Sequence, residues 1–145
     1  MSAAPTPILV AVDLVIRRDT EILFIERANA PFKGRVALPG GFVDPDETVE
    51  MAAIRELKEE TGVEITKPKL IGVWSNPHRD PRGRVISVAY FCEVPEGTES
   101  ICGDDARKTM WLTPDEAWKD DIAFDHRSIL LTAINKFVKH EAVLA

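Results

Sequence analysis

Cysteine is scarce: Cys92 and Cys102 are the two in 145 residues. Two thiols build no disulfide framework, and their spacing is not the Cys-x-x-Cys of a structural zinc site. A reduced, cytosolic chain is expected. Positive charge is in deficit as well: 18 Lys and Arg against 24 Asp and Glu leave a net charge of −6. That balance argues against nucleic acid or an anionic membrane as a partner. It leaves room for a phosphorylated small molecule, provided a metal screens the charge. No run approaches the roughly 18 apolar residues of a membrane helix. Residues 1–7 (MSAAPTP) have neither a basic run nor an apolar stretch, so they read as a short lead-in and not as a signal peptide.

What the chain does have is an ordinary core. Hydrophobic residues make up 45%. A chain of this length buries about 68–70% of its unfolded surface without disulfide staples. One domain spanning residues 1–145 is expected. The run Ile8–Ile16 (ILVAVDLVI) is β-branched and reads as a buried strand, and Glu21–Glu26 (EILFIE) as its hairpin partner. Arg27 to Val36 reads as a loop, and Leu38-Pro39-Gly40-Gly41 as a turn. Leu70–Trp74, Val85–Val94 and Lys108–Leu112 read as strands, with a polar loop at Ser75–Arg84.

A helix is expected from Glu47 or Thr48 to about Thr61, with Val49, Ala53 and Leu57 at four-residue steps and Gly62 as its left-handed cap. Thr113-Pro114-Asp115-Glu116 has the form of a capping box opening a short helix. Asp125 is read as the cap of a last helix carrying Ile129, Ala133 and Phe137 on one stripe. Interleaved strands and helices predict a sheet between helices.

The segment Gly41–Val63 (GFVDPDETVEMAAIRELKEETGV) breaks local rules. Glu56 lies three residues before Glu59 and four before Glu60, so the three carboxylates share a helix face. They sit in the C-terminal half, where the helix dipole is already negative. Like charges at this spacing cost about 0.2–0.5 kcal/mol per pair. Such violations gather at functional sites. A hard divalent cation, Mg²⁺ or Mn²⁺, resolves the conflict and bridges carboxylates to phosphate oxygens. Gly40 and Gly41 allow the backbone to approach the same place. Arg55, four residues before Glu59, is placed to hold that carboxylate.

The same segment resembles the Nudix box, G-x5-E-x7-R-E-U-x-E-E-x-G-U, where U is aliphatic. Gly41, Glu47, Arg55-Glu56-Leu57, Glu59-Glu60 and Gly62-Val63 fill all nine specified positions. The resemblance implies an α/β/α sandwich around a mixed sheet. It also implies Mg²⁺- or Mn²⁺-dependent cleavage of nucleoside diphosphates linked to another moiety. By position, Glu56 and Glu60 look like the main metal ligands, with the Gly40 carbonyl as a backbone ligand. Glu59 looks like a further ligand or the base that activates water. Glu47 and Arg55 look like organisers of the cluster.

Pro77, 15 residues after Gly62, resembles the marker of the ADP-ribose pyrophosphatases within this family, as do the strings NPHRDPRGRVISVAYF, PFKGRVALPGGFVD and AFDHRSIL. The expected substrate is therefore ADP-ribose, cut to AMP and ribose 5-phosphate. Arg27, Arg35, Arg79 and Arg82 are candidate phosphate contacts, since Arg suits bidentate phosphate recognition. Phe32 and Trp74 are candidates to stack on adenine, with core packing as the alternative. A nucleoside triphosphate substrate, cut with release of pyrophosphate, is the second reading. A non-catalytic ADP-ribose sensor is the third.

His78, His126 and His140 lack metal-ligand spacing, and His126 reads as structural. Glu96, Glu99, Asp104 and Asp105 are alternative bases in the loop after the Val85–Val94 strand. The resemblance also suggests a homodimer.

Overall fold

The computed structural model of the protein describes residues 6–103 and 106–138. Asp104, Asp105, His140 and most of the lead-in lie outside the described residues. In chain order the elements are β1 (Leu9–Arg18), β2 (Glu21–Arg27), β3 (Val36–Ala37), β4 (Gly40–Phe42), α1 (Val49–Thr61), β5 (Lys69–Trp74), β6 (Val85–Val94), β7 (Ala106–Leu112), α2 (Pro114–Ala117) and α3 (His126–Ala133). A π-helical turn, Ile134–Val138, continues α3.

The sheet is mixed, with the order β3-β2-β1-β6-β5; β4 also pairs β1, and β7 pairs β2. Strand β1 runs parallel to β6 along its whole length, from Leu9 opposite Val85 to Arg18 opposite Val94. Its other edge is divided. Arg17 and Arg18 close the hairpin with β2, while Ala11, Val12 and Asp13 pair antiparallel with Phe42, Gly41 and Gly40.

The strands β1, β2 and β6 are buried on both faces, as their β-branched runs require. Val12, Leu14, Ile16, Leu23 and Tyr90 pack with Ala52, Ala53 and Leu57 of α1. The alternate residues Val15, Ile22, Phe24, Ala89 and Phe91 pack with Ile129, Leu130 and Ala133 of α3. This period of two puts one helix on each side, an α/β/α sandwich. Each fully buried aliphatic side chain contributes about 1.5–3 kcal/mol. No helix among the described residues is long and apolar enough to cross a membrane.

Capping follows the sequence closely in the first two helices. The Thr48 hydroxyl accepts from the Met51 N–H, and Gly62 closes α1 at φ 73° with its N–H on the Lys58 carbonyl. Thr113 and Glu116 form the reciprocal box at α2. Asp125 differs from expectation. It occupies the N-cap position of α3 without a side-chain capping bond. Its carboxylate instead takes the guanidinium of Arg79.

A second correction concerns the stretch read as loop and turn. Val36–Ala37 and Gly40–Phe42 are strands. Glycine's poor strand propensity hides β4, yet the place demands it: a Cβ on Gly40 would run into the Val12 carbonyl.

Candidate active site

The C-terminal half of α1 and strand β4 form one wall of a cleft of about 360 Å³. Gly40, Gly41, Phe42, Asp44, Glu56 and Glu60 line this wall. The opposite wall comes from distant segments: Asp13 and Ile25 of the sheet, Arg27, Arg79, Asp80 and Arg82 of the loops, Phe124, and His126.

On the helix wall Asp44, Glu47, Glu56 and Glu59 are held by one cation. The Arg55 guanidinium is clamped by Glu47, with Nε 2.9 Å from Oε2. It also reaches Glu56 at 2.9 Å, Glu59 at 3.1 Å and Asp44 at 3.5 Å. Glu47 additionally accepts the Asp44 N–H at 2.9 Å. The hydrogen bond from Arg55, followed by that from the Asp44 backbone, lowers the Glu47 carboxyl from 4.5 to about 2. The same pairing raises Arg55 above its ordinary value, overcoming desolvation. Glu60 is buried and accepts the Gly40 N–H at 3.0 Å. Gly41 sits flat against Glu56, whose carboxylate occupies the space a Cβ would need.

The expected convergence of three carboxylates is in part corrected. Glu56 and Glu60 enter the cleft, while the Glu59 side chain is 61% exposed beside Arg55 and does not line it. Among the described residues no three His, Cys, Asp or Glu side chains stand as a ready ligand cluster. Two hard carboxylates with a glycine backbone beside them fit Mg²⁺ or Mn²⁺. Mg²⁺ keeps waters and takes substrate phosphate oxygens in place of an all-protein cage.

The opposite wall is a buried polar network. Asp13 accepts from the Ser87 hydroxyl at 2.5 Å and lies 3.1 Å from His126 Nε2. Burial pushes the Asp13 carboxyl up, but His126, Ser87 and Arg79 outweigh it and hold the group below its ordinary value. The Leu38 N–H donates to His126 Nδ1 at 3.0 Å. Nε2 therefore carries the proton and donates to Asp13. The Arg79 side chain, 4% exposed, grips Asp125 at 2.7 and 2.9 Å and lies 3.7 Å from Asp13.

Arg27 and Arg82 face the remaining space. Arg27 Nε donates to the Pro31 carbonyl at 2.7 Å, and its guanidinium lies 5.0 Å from the Phe124 ring centre. Burial and the neighbouring Arg82 charge pull the Arg27 pKa down, against Glu60, Asp80 and Asp13. Arg82 is held by buried Asp80 at 2.8 Å and stands between the rings of Phe42 and Phe124, at 5.1 and 5.6 Å. Burial raises the Asp80 carboxyl, and Arg82 more than offsets it.

Of the residues singled out in the sequence, Gly40, Glu56, Glu60, Arg27, Arg79 and Arg82 meet at the cleft. Glu47 and Arg55 brace it from behind. Pro77 and Arg35 do not line it: Pro77 is exposed, and Arg35 pairs with Asp121 at 3.0 Å. Phe32, at φ 61°, packs edge-on to Phe124 at 4.7 Å outside the lining. Trp74 donates to the Ser128 hydroxyl at 3.1 Å. Glu96 and Glu99 belong to a separate depression with Arg18 and Glu21.

Sequence reasoning missed Asp13, Phe124 and the reach of His126. Asp13 was legible as an acid inside an otherwise apolar buried strand. Phe124 was read only within the string AFDHRSIL, with no role of its own; its φ of 53° belongs to the folded chain.

The family model described as the NUDIX domain matches residues 7–133. An ADP-ribose pyrophosphatase of Methanocaldococcus jannaschii is 50% identical over 121 residues, 83% of this chain and 70% of that protein. The ADPR responsive transcriptional repressor NtrR of Acinetobacter baylyi is 36% identical over 135 residues, covering 89% of this chain and 54% of the repressor. Among solved structures, the NUDIX domain of Shewanella oneidensis NrtR, crystallised with ADP ribose, superposes with a TM-score of 0.85 at 28% identity. That match covers 92% of this chain and 90% of the other.

Proposed function

The chain belongs to the NUDIX family, as its match over residues 7–133 establishes, and on that premise we propose that it hydrolyses the diphosphate of ADP-ribose to AMP and ribose 5-phosphate with Mg²⁺ or Mn²⁺. One observation carries the reading. The cleft lining brings the carboxylates of Glu56 and Glu60 together with the guanidinia of Arg27 and Arg82. An anionic diphosphate between them is matched on one side by cationic side chains and needs a cation on the other. The pyrophosphatase at 50% identity supports ADP-ribose as the substrate.

Glu56, Glu60 and the Gly40 carbonyl would hold the metal. When bound, the metal offsets phosphate charge and lowers the pKa of water. Arg27 and Arg82 bind the diphosphate oxygens and fix the phosphorus for in-line attack. Phe124 and Phe42 wall the cleft beside them and exclude bulk water. Glu59, held by Arg55 outside the cleft lining, would have to turn inward to take the proton from the attacking water. The water oxygen joins one phosphorus as the bridging P–O bond breaks, and the departing phosphate leaves with that oxygen. Arg55 and Glu47 do no chemistry; Arg55 holds Glu56 and Glu59 in place, and Glu47 holds Arg55.

Chromatography of ADP-ribose after incubation with the protein and Mg²⁺ tests this, with nucleoside triphosphates run alongside. AMP and ribose 5-phosphate are expected. Untouched ADP-ribose with pyrophosphate released from a triphosphate would overturn the substrate. A second reading, binding without hydrolysis, is favoured by the 36% identity to a repressor. Tight ADP-ribose binding with no product in Mg²⁺ would establish it in place of the first.

A further inference from the structure

The segment Leu38-Pro39-Gly40-Gly41 is fastened residue by residue by three different partners. The Leu38 N–H goes to His126 Nδ1, the Pro39 carbonyl accepts from the Leu14 N–H at 2.9 Å, and the Gly40 N–H goes to Glu60. Two of these partners are ordinary, a neighbouring strand and a cleft carboxylate. The third is a side chain 88 residues away in sequence. Leu38 lies between β3 and β4 and outside both strands. His126 thus supplies an acceptor to a buried N–H that would be costly to leave unpaired.

His126 is itself locked. It is 4% exposed, and its Nε2 is bound to Asp13, which Ser87 and Arg79 hold in turn. Buried polar networks of this kind seldom add net stability over an apolar replacement, yet they fix a single geometry. Here the geometry fixed is that of the segment ending in Gly40 and Gly41, the first implied as a metal ligand and the second pressed on Glu56.

We propose that His126 is a positioning residue for the metal site: through Nδ1 on the Leu38 N–H it sets the place of the Gly40 carbonyl relative to Glu56 and Glu60. The inference rests on the metal reading given above. It goes beyond that reading by assigning a role to a residue that is not among the metal ligands named there.

Two substitutions separate the two bonds of the imidazole. In His126→Asn the amide oxygen takes the place of Nδ1, so the acceptor for Leu38 is kept and the bond to Asp13 is lost. In His126→Gln the amide reaches the place of Nε2, so the bond to Asp13 is kept and the acceptor is lost. Binding of Mn²⁺ alone, followed by electron paramagnetic resonance, is the readout, with Glu56→Gln as reference. His126→Gln should weaken Mn²⁺ by about 10-fold, in the range of outer partners of metal ligands. His126→Asn should stay within about 3-fold of wild type, rescuing the function at equal or lower thermal stability.

Equal weakening in both, or none in His126→Gln while Glu56→Gln loses the metal, overturns the positioning role alone. Unchanged Mn²⁺ binding in Glu56→Gln overturns the metal reading and this role with it. A measurement on the wild type remains decisive should either histidine variant fail to fold. The ¹⁵N spectrum of His126 should show the proton on Nε2, and a proton on Nδ1 overturns the proposal.

Discussion

The two walls of the cleft are built on opposite principles. The helix wall is local. Glu47, Arg55, Glu56, Glu59 and Glu60 fall within 14 residues, and one helix with its leading turn brings them together. Its groups range from buried Glu60 to Glu59 with a side chain 61% exposed, and Glu47, Glu56 and Glu59 are bound to one another through Arg55. The opposite wall is assembled from residues 13, 27, 79–82 and 124–126, and its polar groups are largely buried. A carboxylate cluster on one helix that opens onto the cleft is available for chemistry. A buried network cannot lose a member without stranding a charge. The helix wall should therefore answer to mutation in activity, and the buried network of Asp13, Arg79 and Asp125 in stability.

The largest expected effect sharpens this contrast. Glu56→Gln should lower turnover of ADP-ribose by about 10³-fold, because a lost metal ligand removes several kcal/mol of charge stabilisation. Its urea unfolding midpoint should stay near wild type. The mirror case is Arg79→Ala, which leaves Asp13 and Asp125 without their guanidinium. It should destabilise the fold by about 3–5 kcal/mol in urea titration. A soluble Arg79→Ala with wild-type stability and lost substrate affinity would break the comparison and make Arg79 a direct contact.

The adjacent glycines divide along the same line. At Gly40 an added Cβ meets the backbone of β1, and Gly40→Ala should cost about 1–3 kcal/mol of stability. At Gly41 the Cβ meets the end of the Glu56 side chain, which yields. Gly41→Ala should keep its melting temperature while losing about 10-fold in turnover at limiting Mg²⁺, with partial recovery at high Mg²⁺.

The smallest effect is a pH dependence. The Glu47 carboxyl is lowered from 4.5 to about 2 in the folded protein. The unfolded chain therefore binds its proton first as pH falls, and the stability Glu47 contributes is fully present above 4.5. It should fade between pH 4.5 and about 2. Melting curves of wild type and Glu47→Gln should differ at neutral pH and converge through that window. A constant difference would show that Arg55 does not set the Glu47 ionisation.

The legibility of the molecule follows the same division. Strand β6 was read to its end residues, and α1 to its caps, because burial on both faces and a left-handed glycine leave marks in the residue order. Strand β4 escaped because its glycines deny the pattern by which strands are recognised. Asp125 was placed correctly as the residue before α3, but its side chain serves Arg79, a partner 46 residues earlier that no local rule identifies. Pro77 and Arg35 matched the resemblance in sequence and lie away from the cleft lining.

Residue order alone determined the carboxylate helix and its bracing by Arg55. Those depend on spacings of three and four residues along one helix, which any helix enforces. Only the tertiary structure decided that Glu56 and Glu60 face inward while Glu59 faces solvent, and that His126 reaches Leu38. The packing of β4 and α3 against β1 brings together groups far apart in the chain, and burial then makes each contact costly to leave unmade.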